Sequence, residues 1–203
     1  MGREELVGGE LAPVPVPVTA VRIGLDAPHR RTDWAADSPI WLLDVDGVLN
    51  AVTQAPDHLT WPDYRSGFAT ARGRRWPITY SPTVTSTVAQ LSETRSAEVL
   101  WLTTWEDEAN GDLVELLGLP RLPLAGRAAA TSKEASCGWW KLQVARAVHQ
   151  LSPSRPIVWT DDDLAFDVAA REWIRDRGLG ISPATRLGLD GGQLQVIREF
   201  VRR

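Results

Sequence analysis

The chain is 203 residues long, 43% hydrophobic and 24% charged, an ordinary globular composition that makes one soluble domain the default. Its net charge of -4 excludes a surface that coats nucleic acid or anionic membrane along its whole length, so any polyanion site must be local. A single cysteine, Cys137, excludes an internal disulfide and a multi-cysteine metal cluster; with acids at the N-terminus and no apolar run of membrane length, the expectation is a cytoplasmic protein with no membrane partner.

Residues 1–37 include "APVPVPVTAVRIGLDAP", whose alternating prolines suit an extended arm, because proline cannot donate to a strand ladder. From residue 38 onward the pattern is that of a single folded domain. "IWLL" (40–43) reads as a buried strand. The stretch from Asn50 to Tyr80 has no helical pattern, and within it "FATARGRRWPITY" suits a hairpin turning at Gly73 that overhangs the site. A helix is predicted from Ser81-Pro82 toward Arg95, with serine as N-cap and proline at its first position. "EVLWLTT" (98–104) is the second buried strand, followed by a helix over 106–117 that Gly118 and Pro120 close.

A third helix is predicted over 139–151, where Trp140, Val144, Val148 and Leu151 share one face. "PIVWT" (156–160) is the third strand, and helices over 164–177 and 193–201 complete the chain. Strands alternating with helices predict an α/β three-layer sandwich with a mostly parallel, Rossmann-like sheet and a minimal cap. All three strands reach polar residues at their C-terminal ends, the edge where such sheets bind ligands.

The first of those ends, "WLLDVDGVLN", places Asp44 and Asp46 one residue apart directly after an apolar run. A buried carboxylate costs several kcal/mol, and two at ~4 Å repel by roughly 4 kcal/mol at an effective dielectric near 20. A cation is therefore expected there. Asp-x-Asp-Gly also occurs in calcium loops, but those lack the apolar strand and need further acids downstream.

Asp44 and Asp46, then Thr103, then Lys141, then "WTDDD" (159–163) stand in an order that resembles the haloacid dehalogenase (HAD) superfamily of aspartate-nucleophile phosphohydrolases. The resemblance implies a catalytic set of Asp44 as nucleophile, Asp46 as proton donor and acceptor, Thr103 on a phosphoryl oxygen and Lys141 as neutralising cation. Thr104 competes with Thr103 for the phosphoryl oxygen, and Lys133 is the other lysine available. Mg²⁺ is the implied cofactor, held by Asp44, the carbonyl of Asp46, and Asp161 or Asp162, with Asp163 left to cap the next helix. A signalling receiver also clusters aspartates with a threonine and a lysine, but there the paired acids come first.

The segment "LTTWEDEAN" and the tail "RLGLDGGQLQVIREF" resemble the small, nearly capless HAD domains of RNA-repair proteins. That implies a nucleotide or nucleic-acid end phosphate as substrate, with Arg72, Arg74 and Arg75 of the overhang as candidate grips on a polyanion. Two alternatives remain at this point, a small-metabolite phosphatase and a catalytically idle binding module on the same fold. Oligomeric state does not follow from these residues.

Overall fold

The computed structural model describes residues 22–23, 34, 37–128 and 139–203. Its sheet is built from short runs without polar alternation, which only burial on both faces accommodates. β1 (Arg22–Ile23) comes from the Pro-Val arm; β2 (Ile40–Leu43), β5 (Glu98–Trp101), β7 (Ile157–Thr160) and β8 (Gly178–Ile181) form a parallel sheet in the order β5-β2-β7-β8. Leu43 sits in register with Trp101 on one side and Thr160 on the other, so the three polar ends fall at one level. Apart from residues 34 and 37, the rest of the arm, including His29, lies outside the described residues, as do residues 129–138 with Lys133 and Cys137.

Side chains alternate across the sheet into two cores. Trp41, Leu43, Trp101 and Val158 face one side, where α1 (Pro82–Glu93), α2 (Asp112–Leu117) and α5 (Gly191–Phe200) cover them. Leu42, Leu100, Ile157 and Trp159 face the other, under α3 (Trp140–Leu151) and α4 (Val168–Arg175). Each such side chain contributes about 1.5–3 kcal/mol on burial. Trp41, Trp101 and Trp159 are fully buried, and Trp41 donates its indole N–H to the Thr160 hydroxyl at 3.0 Å. All three serve as core, and Trp41 also ties β2 to β7.

The expected hairpin is present as β3 (Arg65–Ala71) and β4 (Arg74–Tyr80), joined by a two-residue turn at Arg72-Gly73 with φ of 53° and 67°. Two left-handed residues match the twist of a tight hairpin. Ala69, Ala71, Ile78 and Tyr80 bury the inner face against the domain beside α2, while Phe68 and Arg75 stay on the outer face. A short pair, β1 with β6 (Gly126–Arg127), ties the arm antiparallel to the segment after α2.

Three expectations need correction. The helix read over 106–117 is two pieces, a 3-10 turn at Glu106–Asn110 and then α2, because Gly111 at φ -94°, ψ -132° interrupts the helical backbone. The helix read over 164–177 is likewise a 3-10 turn at Asp162–Ala165 followed by α4. Its caps are Asp161, accepting from the Asp163 N–H, and Asp167, accepting from the Ala170 N–H, so Asp163 does not cap. The edge strand β8 carried too little apolar pattern to be read in "GLGI".

Glycine in β8 has a steric cause, since a Cβ at Gly178 would overlap the carbonyl oxygen of Ile157 on the neighbouring strand. Gly178→Ala is expected to destabilise the protein by about 2–4 kcal/mol. Thermal unfolding followed by circular dichroism should show a Tm lower by about 5–10 °C. An unchanged Tm would contradict this packing.

Candidate active site

Sheet register brings the polar ends together. The Asp44 N–H extends the ladder by donating to the Thr160 carbonyl at 3.1 Å, the Leu102 N–H donates to Leu43 at 2.9 Å, and the Asp161 N–H donates to Ile181 at 3.1 Å. Asp44, Thr103 and Asp161 therefore leave three strands side by side, and all three are buried. α3 brings in Lys141 from its first turn. The Lys141 ammonium lies 2.6 Å from Asp44 Oδ2 and 2.7 Å from Asp161 Oδ2, with 3% of the lysine exposed.

A buried cation in the first turn of a helix works against the helix dipole, so the carboxylates must hold it there. Burial alone would lower the Lys141 pKa, but Asp44 and Asp161 override it and hold the ammonium above its usual range. Trp139, itself stacked on Trp159 at 5.1 Å, presents its ring 5.7 Å from the ammonium. Burial pushes the Asp44 carboxyl up from its ordinary value; Lys141, the Val45 N–H and the Thr103 hydroxyl pull the other way. Asp161 is raised to about 7, by burial first and the Asp44 charge second. One lysine does not balance these acids.

Asp162 deepens the deficit. Asp44, Asp161 and Asp162 each offer an oxygen within 4.8 Å of the others, an all-oxygen donor set of the kind that suits a hard divalent cation. Gly47 makes room for this approach. It takes φ of 70°, and a Cβ there would overlap the Asp162 carboxylate. The Thr185 hydroxyl donates to Asp162 Oδ2 at 2.6 Å, and the Ser182 hydroxyl to the Asp162 carbonyl at 2.7 Å.

Asp46 is held apart from that cluster. Its carboxylate accepts from the Asn50 amide at 2.7 Å on one oxygen and from the Trp105 indole at 2.9 Å on the other. The turn's backbone bonds converge on the Val45 carbonyl, to which Val48, Leu49 and Asn50 all donate, leaving the Asp46 carbonyl out of them. Trp105, Asn50 and Thr185 touch the acidic residues without having been singled out from the sequence. Nothing in their spacing marks them; the turn geometry aims them.

The remaining candidates are spread along the rim. Thr103 is fully buried beside Asp44, whereas Thr104 is exposed and its carbonyl accepts from the Arg72 guanidinium at 2.8 Å. The Arg72 N–H donates to both Glu108 oxygens at 2.9 and 3.0 Å, fastening the hairpin tip to the loop after Thr103. Glu108 thus holds the overhang in addition to lying in a helical first turn. Arg74 and Arg75 are exposed on the hairpin, and Arg75 stacks over the Phe68 ring at 4.7 Å on the face turned outward. Neither is brought to the acidic cluster.

A parallel sheet delivering acids from two strand ends to one helix-borne lysine, with a hairpin fastened to the loop after the second strand, is the arrangement of a HAD-superfamily domain. The family model described as the HAD domain in Swiss Army Knife RNA repair proteins matches residues 40–190, and the chain belongs to that family. Membership carries a phosphohydrolase type of activity and, for the superfamily generally, the use of a divalent metal, which the three-aspartate cluster suits. No curated protein and no solved structure matches the chain at a significant level. No helix among the described residues is long and apolar enough to cross a membrane.

The charge imbalance has a pH signature in metal-free protein. Asp161 loses its proton near 3.8 when unfolded but holds it to about 7 when folded, so between these values the folded state binds more protons. This residue's contribution to stability is therefore full below about 3.8 and is lost as pH rises from there to about 7. With a chelator present, the Tm of wild type relative to Asp161→Asn is expected to drop by several degrees between pH 5 and pH 8. A difference that stays flat or rises over that window would contradict the assignment.

Proposed function

We propose that this chain is a Mg²⁺-dependent phosphomonoesterase that works through an aspartyl-phosphate, with residues 38–203 as the hydrolase domain, 1–37 as an arm, and the cytoplasm as its place of work. The observation that carries the reading is the meeting of Asp44, Asp161 and Asp162 within 4.8 Å around a buried lysine. Asp44, the Asp46 carbonyl, and Asp161 or Asp162 would hold the ion. When bound, Mg²⁺ supplies positive charge that offsets the repulsion between an anionic nucleophile and an anionic phosphate.

The chain's own residues do the rest. Asp44 is the nucleophile, and Lys141 counters the effect of burial on its carboxyl and screens the incoming phosphate. The Thr103 hydroxyl, buried beside it, is the group we assign to a phosphoryl oxygen, with Thr104 at the rim as the second candidate. Asp46 gives a proton to the leaving oxygen in the first half-reaction and takes one from water in the second. One carboxyl serves both steps.

The substrate we propose is a phosphate on a nucleotide or a nucleic-acid end. The hairpin reaches the loop after Thr103 through Arg72, and a site with no larger cap than this among the described residues would admit a bulky chain. Arg65, Arg72, Arg74 and Arg75 give the hairpin four cations and no acid in a protein of net charge -4, a local field suited to a polyanion. Arg72 acts at the rim through its place beside Thr104, and Arg74 and Arg75 act further out along the strand.

Phosphate release from 5′- and 3′-phosphorylated oligonucleotides, nucleotides and sugar phosphates tests both levels. Activity is expected to disappear with a chelator, to return with Mg²⁺, and to fall at least about 10³-fold in Asp44→Asn. Activity indifferent to both would reject the mechanism. The Arg74→Ala, Arg75→Ala double variant is expected to weaken the salt dependence of oligonucleotide turnover by about two log–log units. An unchanged slope would remove the hairpin from the substrate site, and a preference for sugar phosphates would replace the nucleic-acid reading.

A further inference from the structure

Asp46 sits at the centre of the proposed proton transfers, yet nothing in its own position aims it. We propose that Trp105 is a positioning residue that, together with Asn50, aims the Asp46 carboxyl at the leaving oxygen and so fits the site to phosphates of poor leaving groups such as sugar hydroxyls. The inference rests on the phosphomonoesterase reading above and deepens it.

The geometry is over-determined in a way a packing tryptophan does not need. Trp105 is 6% exposed and spends its one polar atom on Asp46 Oδ2 at 2.9 Å. Asn50 occupies the other oxygen at 2.7 Å, and its amide cannot turn over, because its own oxygen accepts the Thr79 N–H at 2.9 Å. The carboxyl plane is thus pinned from two sides by donors on two different segments. The residue after Trp105, Glu106, takes a left-handed φ of 50°, rare for a residue with a side chain. Such local strain persists where surrounding structure fixes it and is concentrated at functional sites. Here it lies in the turn that brings the indole round to Asp46.

The chemistry shows what the pinning is for. In the first half-reaction a bond forms between Asp44 Oδ and phosphorus, the bond from phosphorus to the leaving oxygen breaks, and the Asp46 proton goes to that oxygen. In the second, water attacks phosphorus, its proton goes to Asp46, and the bond from Asp44 to phosphorus breaks. A nitrophenolate departs readily without a proton, whereas the alkoxide of a ribose hydroxyl does not. Misaim of Asp46 therefore slows the first step selectively by leaving group.

The test compares kcat/KM for a nucleoside 5′-phosphate and for p-nitrophenyl phosphate, because this ratio reports the step in which the leaving group departs. Trp105→Phe keeps the apolar ring and removes the N–H. Its kcat/KM is expected to fall at least about tenfold more for the nucleoside phosphate than for the nitrophenyl ester. In an Asp46→Asn background, which itself carries the full bias, Trp105→Phe should add no further difference between the two substrates. If Trp105→Phe folds poorly, Trp105→Met serves instead, a flexible apolar filler that also lacks the N–H, with the same bias expected. Equal losses on both substrates in a folded variant would overturn the inference and leave the phosphatase reading standing. Wild-type protein that hydrolyses neither ester with Mg²⁺ would reject that reading, and the inference with it.

Discussion

Two buried carboxylates share one buried ammonium, and a third carboxylate stands within 4.8 Å of both. Removing one member of such a buried pair typically costs about 3–5 kcal/mol, because it strands the partner's charge. The cluster cannot assemble from flexible parts. Asp44 and Asp161 leave adjacent parallel strands at the same level, and Lys141 comes from a helix whose dipole opposes it. The rest of the fold is what makes that arrangement tolerable, with two apolar cores gripping both faces of a four-stranded sheet.

The same arrangement separates the roles of neighbouring acids. Asp44 and Asp46 are two residues apart, yet Asp44 faces the lysine and Asp46 faces Asn50 and Trp105. The turn at Gly47 makes the division possible, since its left-handed backbone and missing Cβ let Asp162 close in from the other side. One carboxyl is set among cations and buried donors, and the other among N–H donors at a half-buried rim. In the proposed mechanism the first acid is the nucleophile and the second the proton carrier.

Much of this was legible in the sequence because apolar runs ending in polar residues, alternating with helical periods, have few ways to fold. The positions of Asp44, Thr103 and Asp161–Asp162 along one sheet edge follow from that alternation, whereas Lys141, on α3, is singled out by the resemblance to the HAD superfamily. Other features follow from backbone detail that periodicity does not carry. Gly111 splits a stretch whose side chains read as one helix, and β8 hides its strand character because "GLGI" has little to bury. Hairpin register puts Arg75 on the outward face with Phe68, whereas a run of arginines suggests a single patch. Trp105 reads as core filler, and only the folded structure shows its N–H on the Asp46 carboxylate.

The account depends on the three aspartates being a cation site. Crystals equilibrated with Mn²⁺ and measured for anomalous scattering test this directly. The expected result is one strong peak bonded at about 2.1 Å to carboxylate oxygens of Asp44 and of Asp161 or Asp162, lost in Asp44→Asn. No peak in the cluster, with Lys141 still bridging Asp44 and Asp161, would contradict it.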